Sequence, residues 1–149
     1  MNTSSRGKIE RLDIVKDYFE RSDAGRFPAD LFTSDFEFYV PKFGIGRGLK
    51  DFFELAEAML ARRVHSFHHR DTLQFIDAGN KIVVEGTTEG LGRDNVRWCG
   101  GETPGGRFCN VFEFNDDDLI KRMYIYLDPD FTSADKDRFL WPERSQTEW

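Results

Sequence analysis

The hydrophobic period of this chain shifts for good near residue 60, and that shift sets its fold class. Before it, two stripes of apolar side chains recur every three or four positions around one short alternating segment; beyond it the pattern alternates. Ile9, Leu12, Val15, Tyr18 and Phe19 form a first helical stripe, which stops near Ala24-Gly25, where glycine supplies a left-handed cap. A short segment through Phe27-Pro28 and Leu31-Phe32 leads into an early strand, Asp35 to Val40, closed by Pro41. Gly44, Gly46 and Gly48 space out a loop, and Leu49, Phe52, Phe53, Ala56, Met59 and Leu60 then give a second helical stripe. From there the pattern is of strands. His65 to Ile76 reads as one long strand, 77–80 as a turn, and Lys81 to Gly90 as the return partner. The glycine-rich stretch from Leu91 to Gly106 reads as a strand end with a long loop. Arg107 to Phe114 and Leu119 to Leu127 make a last hairpin, closed by 115–118. A weak capping pattern, Thr132 with Asp135, precedes Phe139-Leu140-Trp141. Early helices followed by antiparallel strands predict an α+β fold. A long sheet with one apolar face curls over its helices, and the inside of the curl is a natural cavity.

The 149 residues fit one domain, with flexible tails expected at 1–7 and 142–149. Fifteen phenylalanines, four tyrosines and three tryptophans supply the core and suit a fold with a cavity to line. A net charge of −6 with scattered basic residues, of which Arg62-Arg63 is the longest run, argues against a nucleic-acid partner. No apolar stretch approaches the roughly 20 residues that span a bilayer, and Met1 to Lys8 lacks the apolar middle of a signal peptide. A cytoplasmic chain is therefore expected, with Cys99 and Cys109 as small buried thiols, since their spacing matches neither zinc nor redox motifs. No cofactor or metal is expected. The acidic run Asp116-Asp117-Asp118 is a hairpin turn, and the Gly44 to Gly48 loop does not sit in a strand–loop–helix nucleotide unit.

Particular residues carry a resemblance. Val15-Lys16-Asp17-Tyr18 with Ala24-Gly25 in the first helix, Leu31 to Phe38 entering the first strand, and Gly44 to Gly48 before the second helix are one part of it. Val84-Glu85-Gly86, Phe112-Glu113-Phe114-Asn115-Asp116 and Tyr126-Leu127-Asp128 are the other. In this order and spacing, from about Ile9 to Phe131, the chain resembles the nuclear transport factor 2-like superfamily, in its SnoaL-like and ketosteroid-isomerase-like branches. The resemblance implies a cone-shaped open barrel, a curved, mainly antiparallel sheet around N-terminal helices. It also implies a deep pocket and a homodimer. Strands such as His65 to Ile76 and Arg107 to Phe114 carry more apolar residues than one face needs, which puts the expected dimer contact on the outer sheet face.

The resemblance further maps roles onto positions. The oxyanion-binding tyrosine of the isomerases falls on Tyr18, and their second donor falls on Asn110, whose amide donates without a raised pKa. The isomerase base falls on Val40, and the aspartate of polyketide cyclases and epoxide hydrolases falls on Ile125, so neither group carries over. His68 stands about where scytalone-dehydratase-like members keep a catalytic histidine, and Asp128 ends the last strand near the pocket mouth. Tyr39, Phe53, Glu85, Arg97, Trp98 and Phe112 are further pocket candidates. Alternation puts His65 and His69 on one face and His68 on the other. Each residue also has a plainer structural reading: Tyr18 as core, Asn110 as the cap of a strand irregularity, His68 as a strand-pairing residue, Asp128 as a turn residue.

Two functions stay open at this level. One is a cofactor-free isomerase, cyclase or dehydratase acting on a small apolar carbonyl or hydroxyl compound of polyketide, steroid or terpenoid type. The other is a non-catalytic ligand-binding or dimerisation module.

Overall fold

The computed structural model describes residues 10–139 and 148–149. The expected start of the first helix at Ile9, the tail at 1–7, Leu140-Trp141 and all but the last two residues of the 142–149 tail lie outside the described residues.

Helix α1 (Arg11–Asp23) buries Val15, Tyr18 and Phe19. It ends as the glycine signal predicts: Gly25 sits at φ 79°, its N–H bonds Ser22 O, and Arg26 N–H reaches back to Arg21 O. That turn sends the next residues across the open end of the sheet. Strand β1 (Phe32–Val40) starts three residues before the alternation was read to begin. The triple-glycine segment, expected to be a loop, is instead a strand, β2 (Gly44–Arg47), paired antiparallel to β1. Its inner face is bare because the Phe38 ring lies there: a Cβ on Gly46 would meet that ring at 2.3 Å. Helix α2 (Gly48–Leu60) lays Leu55 against the core, with Phe52 and Met59 beside it.

The expected long strand from His65 to Ile76 is broken. It consists of β3 (Arg63–His68), a turn of 3₁₀ helix (Arg70–Thr72) and β4 (Gln74–Asp77). Thr72 donates to His69 O through both its backbone N–H and its hydroxyl, a local bond that competes with the ladder and that alternation cannot reveal. Both pieces pair with β5 (Lys81–Gly92), β4 along its first half and β3 along its second. Inside the expected loop lies β6 (Arg97–Cys99), which puts Trp98 flat against Gly90. Strands β7 (Arg107–Phe114) and β8 (Ile120–Leu127) form the last hairpin.

The sheet has eight strands, with the path β2-β1-β8-β7-β5-β3, and β4 and β6 also on β5. It is mixed, because β1 and β8 run parallel, and it curves without closing. Its inner face is set by strand parity: Phe36, Phe38 and Val40 on β1, Met123 on β8, Phe108, Asn110 and Phe112 on β7, and Ile82, Val84 and Thr88 on β5 are all buried. At one end these side chains interlock with α1 into solid core, where Tyr18 stands edge-on to Phe19 and Phe112 with centroids 5.2 Å apart. Burying each such ring contributes roughly 1.5–3 kcal/mol. At the other end the same face opens. Among the described residues no helix is long and apolar enough to cross a membrane.

Candidate active site

The open end of the cone holds a cavity of about 300 Å³, at the lower limit for small-ligand pockets. Its walls are apolar: Phe27 and Val40, Phe52, Phe53, Leu55 and Met59 from α2, and Phe108, Ile125, Leu127 and Phe131. Set into them are a few polar groups, Tyr18, Ser22 and Asp23 from α1, Arg63, Ser66 and His68 from β3, Thr88 and Asn110.

His68 and Asp23 are the tightest pair. His68 Nδ1 lies 2.6 Å from Asp23 Oδ1, and the His68 backbone N–H also points at the carboxylate, 3.2 Å from Oδ2. Arg70 Nε stands 3.6 Å from the other side of the same carboxylate. The imidazole is wedged edge-on between Phe19 and Phe108, at 4.8 and 5.1 Å between centroids. With Nδ1 committed to Asp23, Nε2 is the nitrogen left to meet a ligand. The carboxylate fixes the tautomer in which Nε2 is a base, and it stabilises the imidazolium once Nε2 takes a proton. Asp23 is the last residue of α1, the negative end of the helix dipole. An acid there is disfavoured unless something compensates it; here the Arg70 charge does, with the His68 backbone N–H also aimed at the carboxylate.

Two buried polar atoms of the cavity lack partners among the described residues. Asn110 is 2% exposed, yet its amide oxygen as assigned bonds nothing. The same amide carries an NH₂ that can donate to a ligand oxygen. Ser22 Oγ is likewise buried without a partner. Burial pushes the Tyr18 hydroxyl up to about 12, while the nearby Ser22 hydroxyl and the Arg63 charge pull it down. Ser22 is close enough to polarise the phenol although its oxygen meets no hydrogen-bond geometry. Tyr18 is therefore a neutral hydroxyl donor at physiological pH.

The structure gathers Tyr18, Asn110, His68, Val40, Phe53 and Ile125 around one cavity. Six sequence candidates are not part of it, Arg97 among them, an exposed residue that stands between Glu89 and Glu102. Tyr39 points outward from β1, against Tyr124 and Tyr126, because its neighbour Val40 takes the inward position. Glu85 is exposed on the outer face of β5, where odd-numbered residues point away from the core. Phe112 faces inward but is sealed beneath Tyr18 and Phe19. Trp98 is buried behind the cavity wall, stacked on Phe131 at 4.7 Å, with its indole N–H on Thr88 Oγ1 at 3.1 Å. Asp128 stands at an exposed turn, where its carboxylate accepts from Asp130 N–H and lies 3.6 Å from Lys42. The sequence reading missed Asp23, Ser22 and Arg63. An acid ending an amphipathic helix, against the dipole, was the one available signal for Asp23.

One grouping on the outer face resembles a metal site: His69, Glu89 and Cys99 each bring a ligand atom within 4.8 Å of the others. All three are otherwise occupied. His69 bonds Thr87 Oγ1 through Nδ1 at 2.6 Å and Glu89 through Nε2 at 3.3 Å, and Arg97 stands beside Glu89. Burial and the nearby Glu102 push the Cys99 thiol up.

No protein-family model and no curated protein matches the sequence. Solved structures do match the fold. An NTF2-like protein of unknown function from Burkholderia pseudomallei superposes with a TM-score of 0.70 at 14% identity, over 83% of this chain and 98% of that one. A proposed polyketide cyclase from Xanthomonas campestris gives 0.66 at 13%, over 79% and 90%. TerC, co-crystallized with polyporic acid, gives 0.65 at 15%, over 79% and 91%. The chain has the NTF2-like fold.

Proposed function

We propose that this protein is a cofactor-free acid/base catalyst that binds a small, mostly apolar carbonyl or hydroxyl compound in the cone. The observation that carries the reading is the Asp23–His68 pair, 2.6 Å apart, set in the wall of an apolar cavity beside the unpartnered Asn110 amide. Nε2 of His68 would take the proton from a carbon next to a carbonyl. The charge arriving on the carbonyl oxygen would be met by the Tyr18 hydroxyl and the Asn110 NH₂. Return of that proton to another carbon is an isomerisation. Its delivery to a β-hydroxyl, which leaves as water, is a dehydration, and attack of the enolate carbon on a second carbonyl is a cyclisation. Apolar walls restrict access of water to the intermediate. The likeness to a proposed polyketide cyclase and to a protein crystallized with polyporic acid is in keeping with such ligands.

A second reading rests on Val40 and Ile125, which stand in the same cavity where the familiar bases of this fold would be. With no proton to move, the pocket would be a binding module. The probe that divides the two is 2-tetralone, a bicyclic ketone with acidic α-hydrogens, incubated in D₂O and followed by NMR. The catalytic reading expects α-deuteration accelerated over buffer; binding of the ketone without acceleration selects the module.

A homodimer through the outer sheet face belongs to the same proposal. Tyr39, Tyr124 and Tyr126 cluster there, and Tyr126 is 46% exposed. Light scattering at micromolar concentration should give the mass of two chains, and a one-chain mass would remove this part. Reduced Cys99 and Cys109, both free thiols, suit a cytoplasmic setting.

A further inference from the structure

Arg63 enters the cavity because of a fault in the strand. Along β3 the pairing runs His68 to Thr88, Ser66 to Gly90 and His65 to Leu91, and then skips, so that Arg63 faces Gly92 and Val64 is left over as a bulge. Without the extra residue, alternation from His68 and Ser66 would carry residue 64 inward and turn Arg63 to solvent. With it, Arg63, Ser66 and His68 share one face and all three line the pocket, while Val64 is 52% exposed. Bulges re-aim side chains in this way beside functional sites.

The guanidinium so placed is half-buried and has Phe131 beneath it, 5.7 Å from the ring centroid. Asp23, the acid whose field reaches it, is already engaged by His68 and Arg70. Among the described residues Arg63 forms no salt bridge. A cation withdrawn from water without a counter-ion is costly to keep, and arginine keeps its charge.

We infer that Arg63 is the anion-binding subsite of this cavity, so that the ligand carries a carboxylate or an equally acidic enol oxygen on its apolar frame. The inference rests on the cavity being the ligand site, as proposed above, but not on His68 moving a proton. Burial pushes the guanidinium's pKa down, with Tyr18 and Asp23 holding it up, in keeping with a charge placed for a partner. A planar carboxylate would accept two parallel N–H bonds from the fork, a geometry lysine cannot match. Oriented so, the apolar body of the ligand would lie across Phe131, Leu127 and Met59 with its reacting end toward His68.

The test is a binding comparison of 2-naphthoate with its neutral isostere 2-naphthamide, by calorimetry, on the full chain. The wild type should prefer the acid by about tenfold or more, as a charge-assisted pair does. Arg63→Met should abolish the preference while leaving the amide within about twofold, and Arg63→Lys should restore part of it. Arg26→Met, at the exposed rim of the same cavity, should leave the preference in place. The inference is overturned if the wild type binds acid and amide alike, if neither binds at millimolar concentration, or if Arg26→Met rather than Arg63→Met removes the difference. A thermal melt of each variant separates lost binding from lost fold. If His68 variants were to lose no activity while this preference stood, the catalytic reading would fail alone.

Discussion

His68 and His69 are neighbours in the chain, each beside a carboxylate, yet they stand on opposite faces of the sheet and in opposite conditions. His68 has one ring nitrogen on Asp23 at 2.6 Å and the other left for the cavity. His69 has both nitrogens in use, on Thr87 and Glu89, and does not line the cavity. Identical chemistry thus keeps one nitrogen for the cavity in one place and becomes a strand clamp in the next. What separates them is whether the second nitrogen has a partner within the fold.

The comparison breaks most sharply on rate. His68→Gln should lower α-deuteration of 2-tetralone by about 10²–10⁴-fold, the usual worth of a positioned acid/base. His69→Gln should leave it within about twofold. Equal losses would show that both histidines act only through the fold.

Tyr18 offers the next largest effect, on stability against pH. Its folded pKa of about 12 lies above the ordinary value of 10.0, because burial disfavours the phenolate. Between those values the unfolded chain releases a proton that the folded chain keeps, so stability falls as pH rises. The contribution is whole below pH 10 and is lost on the way to 12, amounting to roughly 2–3 kcal/mol. Denaturant titrations at pH 9 and pH 11 should show the wild type losing about 1.4 kcal/mol more than Tyr18→Phe, half of the whole, because pH 11 lies midway between the two values. Parallel losses would mean that the hydroxyl is not buried as described.

Asp23→Asn keeps the shape of the dyad and removes its charge. It should slow deuteration by about 10–100-fold, because the imidazolium formed in the step loses the carboxylate that faces it. A rate within about twofold of the wild type would reduce Asp23 to a helix-end fixture. The smallest effect is on the other side of the sheet. His69→Gln should cost about 0.5–1.5 kcal/mol in denaturant titration, the scale of one hydrogen bond, and leave ligand binding alone.

Much of the site was legible because parity is. Once Phe36 and Phe38 face the core, Val40 must line the cavity and Tyr39 must not; reading both as pocket residues asked one strand to point two ways. Asn110 and Ile125 follow the same rule and pair directly across β7 and β8. Phe112 obeys the parity and still misses the cavity, because Tyr18 and Phe19 arrive over it from α1. Periodicity says which face a residue takes; it does not say what covers that face.

By itself, the sequence determined the helical stripes with Tyr18 on the first of them, the final hairpin from Arg107 to Leu127, the α+β order, and that His68 lies on the face opposite His65 and His69, though not which face looks inward. These are local properties, set by side-chain period and turn chemistry over a few residues. Tertiary structure alone decided that Asp23, 45 residues away, would hold His68, and that a one-residue bulge would turn Arg63 into the cone. It also decided that the strand after α2 would break at Thr72. Each of these depends on where two distant segments come to lie, and the energy that fixes such placements is shared across the whole packed interior rather than written at any one position.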